Sequence, residues 1–268
     1  MQKIKISQIQ FEAKSTPAAN AKLLKKYFEK TKKFNPDLIC TPECSNIITN
    51  DIDYLKKITT FEKDCPVISM AKLFAKENNV NINIGSLLLK IKNKKKLVNR
   101  SYFINNKGRV IKKYNKIHMF DVNINKKETH RESDTFEAGK NISLLNINKI
   151  NIGFTICYDL RFPNLFRKLA QRGAQIILMP AAFTVPSGKD HWEVMLRSRA
   201  IENSLFLVAT DMCGNHHTNR KTYGHSLLVN PWGKIISKAK SKPKILNTNI
   251  NLDEIENARN KIPAILND

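Results

Sequence analysis

Cys157 follows the apolar run Ile150–Ile156 and precedes Tyr158-Asp159-Leu160-Arg161-Phe162-Pro163, where a helix is predicted to begin. A thiol on a strand-to-helix turn stands at the sheet edge beside backbone N–H groups able to hold an oxyanion, which is the placement that nucleophilic acyl transfer needs. A free cysteine is also commonly a small buried hydrophobe, and position alone leaves both readings open. Two further segments favour the nucleophile. Asp37-Leu38-Ile39-Cys40-Thr41-Pro42-Glu43 puts a carboxylate just past a short buried strand, and Lys112-Lys113-Tyr114-Asn115-Lys116-Ile117-His118 puts a lysine at the end of another. A free thiol, with a pKa of about 8.5, needs a base or a positive neighbour to supply thiolate at neutral pH. A single Glu or Lys is most often a solvated surface charge. Together with Cys157 they make a Glu–Lys–Cys set in which each member sits at a strand end.

The surrounding pattern supplies those strand ends. Lys3–Gln10 alternates as a strand, and Ala18–Phe34 reads as a helix with Leu23, Leu24, Tyr27 and Phe28 on its apolar face. A short buried strand at Leu38–Thr41, a helix at Val67–Asn78, and strands at Asn81–Lys90, Leu97–Ile104 and Val110–Tyr114 follow. Lys116–Lys140 is polar and aperiodic, and is expected to be a functional loop. Beyond it lie strands Ile142–Ile147 and Ile150–Ile156, helix Pro163–Arg172 and strand Gln175–Met179. Asp190–Glu202 is predicted helical, with Asp190 and Glu193 as a cap. Strands at Leu205–Thr210, Ser226–Asn230, Lys234–Ser237 and Ile245–Ile250 complete an α/β chain with layered sheets.

Composition bounds the alternatives. At 268 residues, 41% hydrophobic and 26% charged, with nine Gly and ten Pro, the chain has material for a buried core and is neither collagen-like nor a disordered low-complexity sequence. No apolar run approaches the roughly 20 residues of a membrane span. The opening MQKIKISQIQ lacks the apolar centre of a signal peptide. The expectation is a soluble, cytoplasmic protein. Lys+Arg 46 against Asp+Glu 23 gives a net charge of +23, but lysine is dispersed rather than striped, so nucleic-acid binding is the weaker class. Cys40, Cys44, Cys65 and Cys213 read as reduced structural thiols; the spacing of Cys40 and Cys44 has no second Cys/His pair nearby to complete a metal site.

The chemistry-bearing pieces resemble a known family. TPE at 41–43, YNKIHMFDV at 114–122, RESDTFEAG at 131–139 and GFTICYDLRFP at 153–163 are similar, in order, to motifs of the nitrilase superfamily of carbon–nitrogen hydrolases. AAFTVPSGKDHWEVMLRSRAIEN at 181–203 and CGNHHTNRKTYGHSLLVNPWG at 213–233 extend the likeness over nearly the whole chain. The resemblance implies a single domain over residues 1–268 with a four-layer αββα sandwich. It further implies a homodimer or higher oligomer, with the segment from about 240 to 268 as an extension at the dimer interface. It implies Glu43 as general base, Lys116 as oxyanion stabiliser, Cys157 as nucleophile and Glu132 as a supporting carboxylate. The backbone N–H of Tyr158 would be a second oxyanion donor, and no metal or organic cofactor is needed.

Within the superfamily the motifs resemble the Nit branch, which includes amidases of deaminated glutathione and ω-amidases acting on α-ketoglutaramate. The implied reaction is hydrolysis of a small carboxylate-bearing amide to acid and ammonia through a thioester, deaminated glutathione first, with an N-carbamoyl compound also open. Arg161 or Lys126-Lys127 would suit the carboxylate, although a structural ion pair of Arg161 with Asp159 or another carboxylate is the slightly favoured reading. Phe183 and Thr184 would line the pocket; Trp192 and Met195 read as core, and His191 as either. Asn215, His216, His217 and Arg220 form either a specificity loop or an ordinary polar one. Cys44-Ser45-Asn46 replaces an aromatic-containing segment that many relatives carry, and Asn123–Thr129 has Asn and Lys where they often have Pro and Gly.

Overall fold

The computed structural model describes residues 2–125 and 128–265; the Lys126-Lys127 pair lies outside them. In chain order the first half holds β1 (Lys3–Gln10), α1 (Pro17–Thr31), β2 (Leu38–Cys40), α2 (Ile52–Ile58), α3 (Pro66–Glu77), β3 (Asn81–Lys90), β4 (Leu97–Ile104) and β5 (Val110–Asn115). A hairpin of β6 (Asp121–Asn125) and β7 (Glu128–Arg131) and a one-turn helix, α4 (Glu132–Thr135), follow. The second half holds β8 (Ser143–Ile147), β9 (Ile150–Phe154), α5 (Pro163–Gln171), β10 (Ile176–Ala181), α6 (Val185–Asn203) and β11 (Phe206–Asp211). Then come the hairpin β12 (Cys213–Asn215) and β13 (Lys221–Tyr223), β14 (Leu227–Val229), β15 (Ile235–Lys238), β16 (Lys244–Asn251) and α7 (Asp253–Lys261).

Twelve of these strands form two six-stranded sheets, ordered β16-β1-β2-β3-β4-β5 and β15-β14-β11-β10-β9-β8. Each has a parallel centre, β1-β2-β3 in one and β9-β10-β11 in the other, with antiparallel flanks. The alternation of β1 explains the layering. Ile4 and Ile6, with Leu38 and Phe103, share a core with Ile152, Phe154 and Leu178 of the second sheet, and the Phe103 and Phe154 rings meet edge to face at 6.2 Å. Ile9, on the opposite face of β1, packs with Leu24 and Phe28 of α1 and Ala71 and Phe74 of α3. On the far side of the second sheet, Ile177 and Leu169 of α5 close over Gly153. The result is a four-layer αββα sandwich, as the family resemblance implied.

Local chemistry sets the helix starts. Thr16 caps α1, its hydroxyl accepting the Ala19 N–H at 3.2 Å, and Pro17 occupies the first turn, where its missing N–H costs nothing. The Asp190 cap predicted for the helix at 190–202 is not formed: α6 begins at Val185, five residues earlier, with Thr184 at its N-cap and Pro186 in the first turn. The 116–140 stretch is also more ordered than its polarity suggested, since it holds β6, β7 and α4. Of the 240–268 segment, β16 pairs with β1 from Lys3↔Asn251 to Gln10↔Lys244. Among the described residues no helix is long and apolar enough to cross a membrane.

Glu43 follows β2, Lys116 follows β5, Cys157 follows β9 and Phe183 follows β10. β2 and β3 are parallel, and β4 runs against both β3 and β5, so these strand ends of the first sheet lie at one edge. The carboxyl ends of parallel strands are where open α/β sheets bind ligands.

Candidate active site

Cys157 has a left-handed backbone, φ 47°. A non-glycine residue held so costs roughly 1–3 kcal/mol and persists only where its surroundings fix it. Asp159 does the fixing. Its fully buried carboxylate accepts the Ile156 N–H at 2.8 Å, the Tyr114 hydroxyl at 2.6 Å, and His118 through both its N–H at 3.1 Å and Nδ1 at 2.6 Å. Tyr114 and His118 flank Lys116 by two residues on either side. One carboxylate therefore ties the turn that carries the thiol to the segment that carries the ammonium, and the stacking of His118 on Phe162 at 3.5 Å tightens the same joint.

Lys116 is buried with its Nζ between two carboxylates, 2.9 Å from Glu43 Oε1 and 2.8 Å from Glu132 Oε2. Glu132 is held by the Phe120 N–H at 2.6 Å. Asn99 Nδ2 donates to Glu43 Oε1 at 2.8 Å and reaches Glu132 Oε1 at 3.4 Å. Behind Glu43, Ser45 Oγ donates to Pro42 O at 2.7 Å, and the Cys44 N–H donates to Ser86 Oγ at 2.9 Å. Gly85 allows that close approach: a Cβ there would lie 2.0 Å from Thr41 O and 2.5 Å from Pro180 Cβ, where the two sheets meet beside the site.

These contacts set the charge states. Burial alone would raise the Glu43 pKa, but the Lys116 charge and hydrogen bond, with bonds from Cys157 and Asn99, bring it below the ordinary carboxylate value. For Lys116 burial works against the ammonium, and Glu132 and Glu43 outweigh it, so its pKa is well above the ordinary value. Burial and the Glu43 charge push the Cys157 thiol well up, with Lys116 pulling the other way. The resting site is a carboxylate, an ammonium and a protonated thiol that hydrogen-bonds the carboxylate.

All eight sequence-derived residues line one cavity of about 770 Å3: Glu43, Lys116, Glu132, Cys157, Tyr158, Arg161, Phe183 and Thr184. Arg161 is not paired with Asp159, whose oxygens are taken by the four donors above. Its guanidinium lies 5.9 Å from both the Tyr158 and Phe183 ring centres and 3.2 Å from His191 Nδ1, with no carboxylate partner among the described residues. Trp192 is buried, its Nε1 donating to His225 O at 2.9 Å, and packs against Phe183 at 4.7 Å. His216 is buried with Nε2 2.7 Å from Thr222 Oγ1; burial chiefly, and Arg220 in addition, pull its pKa to about 4, so it is neutral at pH 7.

Two site residues escaped sequence reasoning. Asn99, the amide that joins both carboxylates, is one polar residue in an ordinary strand pattern. Asp211 is fully buried at the end of β11, and its Oδ1 accepts the Phe183 N–H at 3.0 Å, fixing the cavity wall. Burial chiefly holds its carboxyl pKa well above the usual range, against the hydrogen bond from the Phe183 N–H. A carboxylate after an apolar strand was the available signal, the same one that pointed to Glu43.

Residues 4–260 match the family model described as carbon-nitrogen hydrolase. The chain is 36% identical to the deaminated glutathione amidase of Yersinia enterocolitica over 232 residues, 85% of this chain and 80% of that protein. It is 33% identical to the deaminated glutathione amidase of Dictyostelium discoideum over 91% of this chain and 87% of that one. Among solved structures it superposes on the Caenorhabditis elegans NitFhit protein with a TM-score of 0.90 and 29% identity, covering 99% of this chain and 65% of NitFhit. On Saccharomyces cerevisiae Nit3, a member of branch 10 of the nitrilase superfamily, the TM-score is 0.88 at 27% identity, covering 98% and 95%.

Proposed function

The chain belongs to the carbon–nitrogen hydrolase family and is a hydrolase of carbon–nitrogen bonds other than peptide bonds; from that premise we propose that it is a cysteine-dependent amidase whose substrate is deaminated glutathione. The observation that carries the mechanism is the buried Lys116 ammonium held at 2.9 and 2.8 Å between Glu43 and Glu132, in the same cavity as the thiol that bonds Glu43.

Glu43 takes the Cys157 proton as sulfur attacks the amide carbonyl carbon. Negative charge moves to the carbonyl oxygen, where the Lys116 ammonium and the Tyr158 N–H stabilise it. The C–N bond then breaks, and the proton on Glu43 passes to the leaving nitrogen. Glu43, again a carboxylate, removes a proton from water, which attacks the thioester and releases the carboxylic acid and the thiol. Glu132 keeps Lys116 charged and oriented through both half-reactions.

The substrate reading draws on the names of the relatives and on Arg161, a cavity cation without a carboxylate partner among the described residues, which suits the carboxylate of a 2-oxo acid. Deaminated glutathione contains only secondary amides, so ammonia release, expected above for the general reaction, is not its signature. Cleavage at the former γ-glutamyl amide gives 2-oxoglutarate and cysteinylglycine. Purified protein is expected to release cysteinylglycine from this substrate faster than it releases ammonia from α-ketoglutaramate, glutamine or an N-carbamoyl amino acid. Inactivity on deaminated glutathione with turnover of one of the others rejects the substrate and keeps the enzyme class.

We also propose a homodimer. Val194 and Ile201, seven residues apart on α6, are exposed, as is Trp232 in the turn between β14 and β15, whose Gly233 lies against Ile201. Light scattering of the purified protein is expected to give twice the chain mass; a monomer at micromolar concentration contradicts this.

A further inference from the structure

Arg220 is the second arginine of the cavity without a carboxylate partner among the described residues. Arg131, also at the cavity, is already engaged: its guanidinium donates to His130 O at 3.0 Å and Asn123 Oδ1 at 3.0 Å. Arg220 is half-buried and sits at the end of the β12–β13 hairpin, where Thr218 and Asn219 both take left-handed backbones, φ 63° and 58°. The turn is pinned on several sides. The His216 N–H donates to Arg220 O at 2.8 Å. His217 Nδ1 lies 3.0 Å from Thr49 Oγ1, and the Asn50 N–H donates to Thr218 Oγ1 at 2.9 Å. The His217 ring packs on Tyr54 at 4.7 Å. A hairpin tip so anchored presents a charge in a fixed place, which reduces the ordering cost of binding an anion there.

The side of the cavity on which Arg220 sits gives it a role. The hairpin tip that carries Arg220 is bonded to Thr49 and Asn50, in the segment that follows Glu43, and Glu43, Cys44, Thr49 and Asn50 line the cavity with Arg220. Glu43 delivers the proton to the departing nitrogen, so the leaving half of the substrate departs past Glu43. Arg161, four residues after the nucleophile and stacked with Tyr158 and Phe183, belongs instead to the acyl side.

Resting on the deaminated-glutathione reading, we infer that Arg220 is a specificity-determining residue that binds the terminal carboxylate of the leaving cysteinylglycine, while Arg161 binds the carboxylate of the acyl half. The substrate is then a dianion with one charge on each side of the scissile bond and one arginine for each. A cavity of about 770 Å3 has room for a molecule of that length, and far more than a five-carbon amide acid fills.

The test compares deaminated glutathione with its glycine methyl ester, which has the same scissile bond and lacks only the second negative charge. The wild-type protein is expected to favour the acid in kcat/KM by about 10- to 100-fold, as for a charge-assisted hydrogen bond. In Arg220→Gln that preference should collapse to about 3-fold or less, through loss on the acid with far less change on the ester, and Arg220→Lys should restore part of it. Equal kcat/KM for acid and ester in the wild type overturns the inference while the amidase reading stands. So does an Arg220→Gln variant that keeps the wild-type preference, or one that loses acid and ester equally. Hydrolysis of neither compound by the wild type removes the substrate reading, and the inference with it.

Discussion

Lys116→Met is expected to lower kcat by about 10³-fold or more, because a single preorganised oxyanion donor is worth 10²- to 10³-fold in comparable acyl transfers and Lys116 has a second task. It also neutralises Glu43 and Glu132, both within 3.0 Å of its Nζ. Without the ammonium, the main opposition to burial is gone and the Glu43 pKa rises, so a larger share of Glu43 is protonated. A protonated Glu43 accepts no proton from Cys157, so base and oxyanion hole are lost together. Removing one partner of a buried ion pair also destabilises a fold by about 3–5 kcal/mol. The double variant Lys116→Met/Glu132→Gln separates the two losses: melting temperature should recover in large part, and turnover should not. Turnover within about tenfold of wild type in either variant contradicts the assigned role.

Glu43→Gln is expected to abolish turnover by about 10³- to 10⁴-fold while leaving Cys157 open to alkylation. The sign follows from the charges facing the thiol. Burial and Glu43 raise the Cys157 pKa, and Lys116 lowers it. The substitution removes a negative neighbour and keeps the positive one, so thiolate becomes easier to form. What disappears is the group that protonates the leaving nitrogen and deprotonates the attacking water. The measurement pairs steady-state kcat with the iodoacetamide rate at pH 7 in the same preparation. Retained turnover contradicts the base assignment. Loss of turnover together with a thiol alkylated far more slowly than in the wild type contradicts the electrostatic account.

Legibility in the sequence followed burial. The two-residue alternation of Lys3–Gln10 and the dense apolar content of Asn81–Lys90 and Leu97–Ile104 predicted three strands with the bounds found in the fold. Each is a central strand whose side chains are mostly buried, so the pattern is strong. α2 and α7 left no such trace: only Leu55 of α2 and Ile255 and Ala258 of α7 are buried. The early start of α6 falls on Pro186 and Gly188, residue types that are unfavourable in a helix interior. Proline is harmless in a first turn, and glycine at 188 is required because a Cβ would sit 2.3 Å from the Tyr223 ring.

The site divides the same way. Glu43, Lys116 and Cys157 stand at strand ends, and their residue types suggested the chemistry before the family likeness gathered them. Their support was not legible. Asn99 contributes through a side-chain amide that bridges two carboxylates from different segments. Asp159 looked like a partner for Arg161, two residues away. In the fold it faces Tyr114 and His118, about forty residues earlier in the chain. Contacts of that separation are set by the stacking of one sheet on the other, which no local pattern encodes.

The most direct measurement is rapid-quench mass spectrometry during turnover of deaminated glutathione. The account predicts an acyl group on the peptide carrying Cys157, attached as a thioester that hydroxylamine removes, together with an inactive Cys157→Ala variant. An acyl group on a different residue, or turnover that survives in Cys157→Ala, contradicts it.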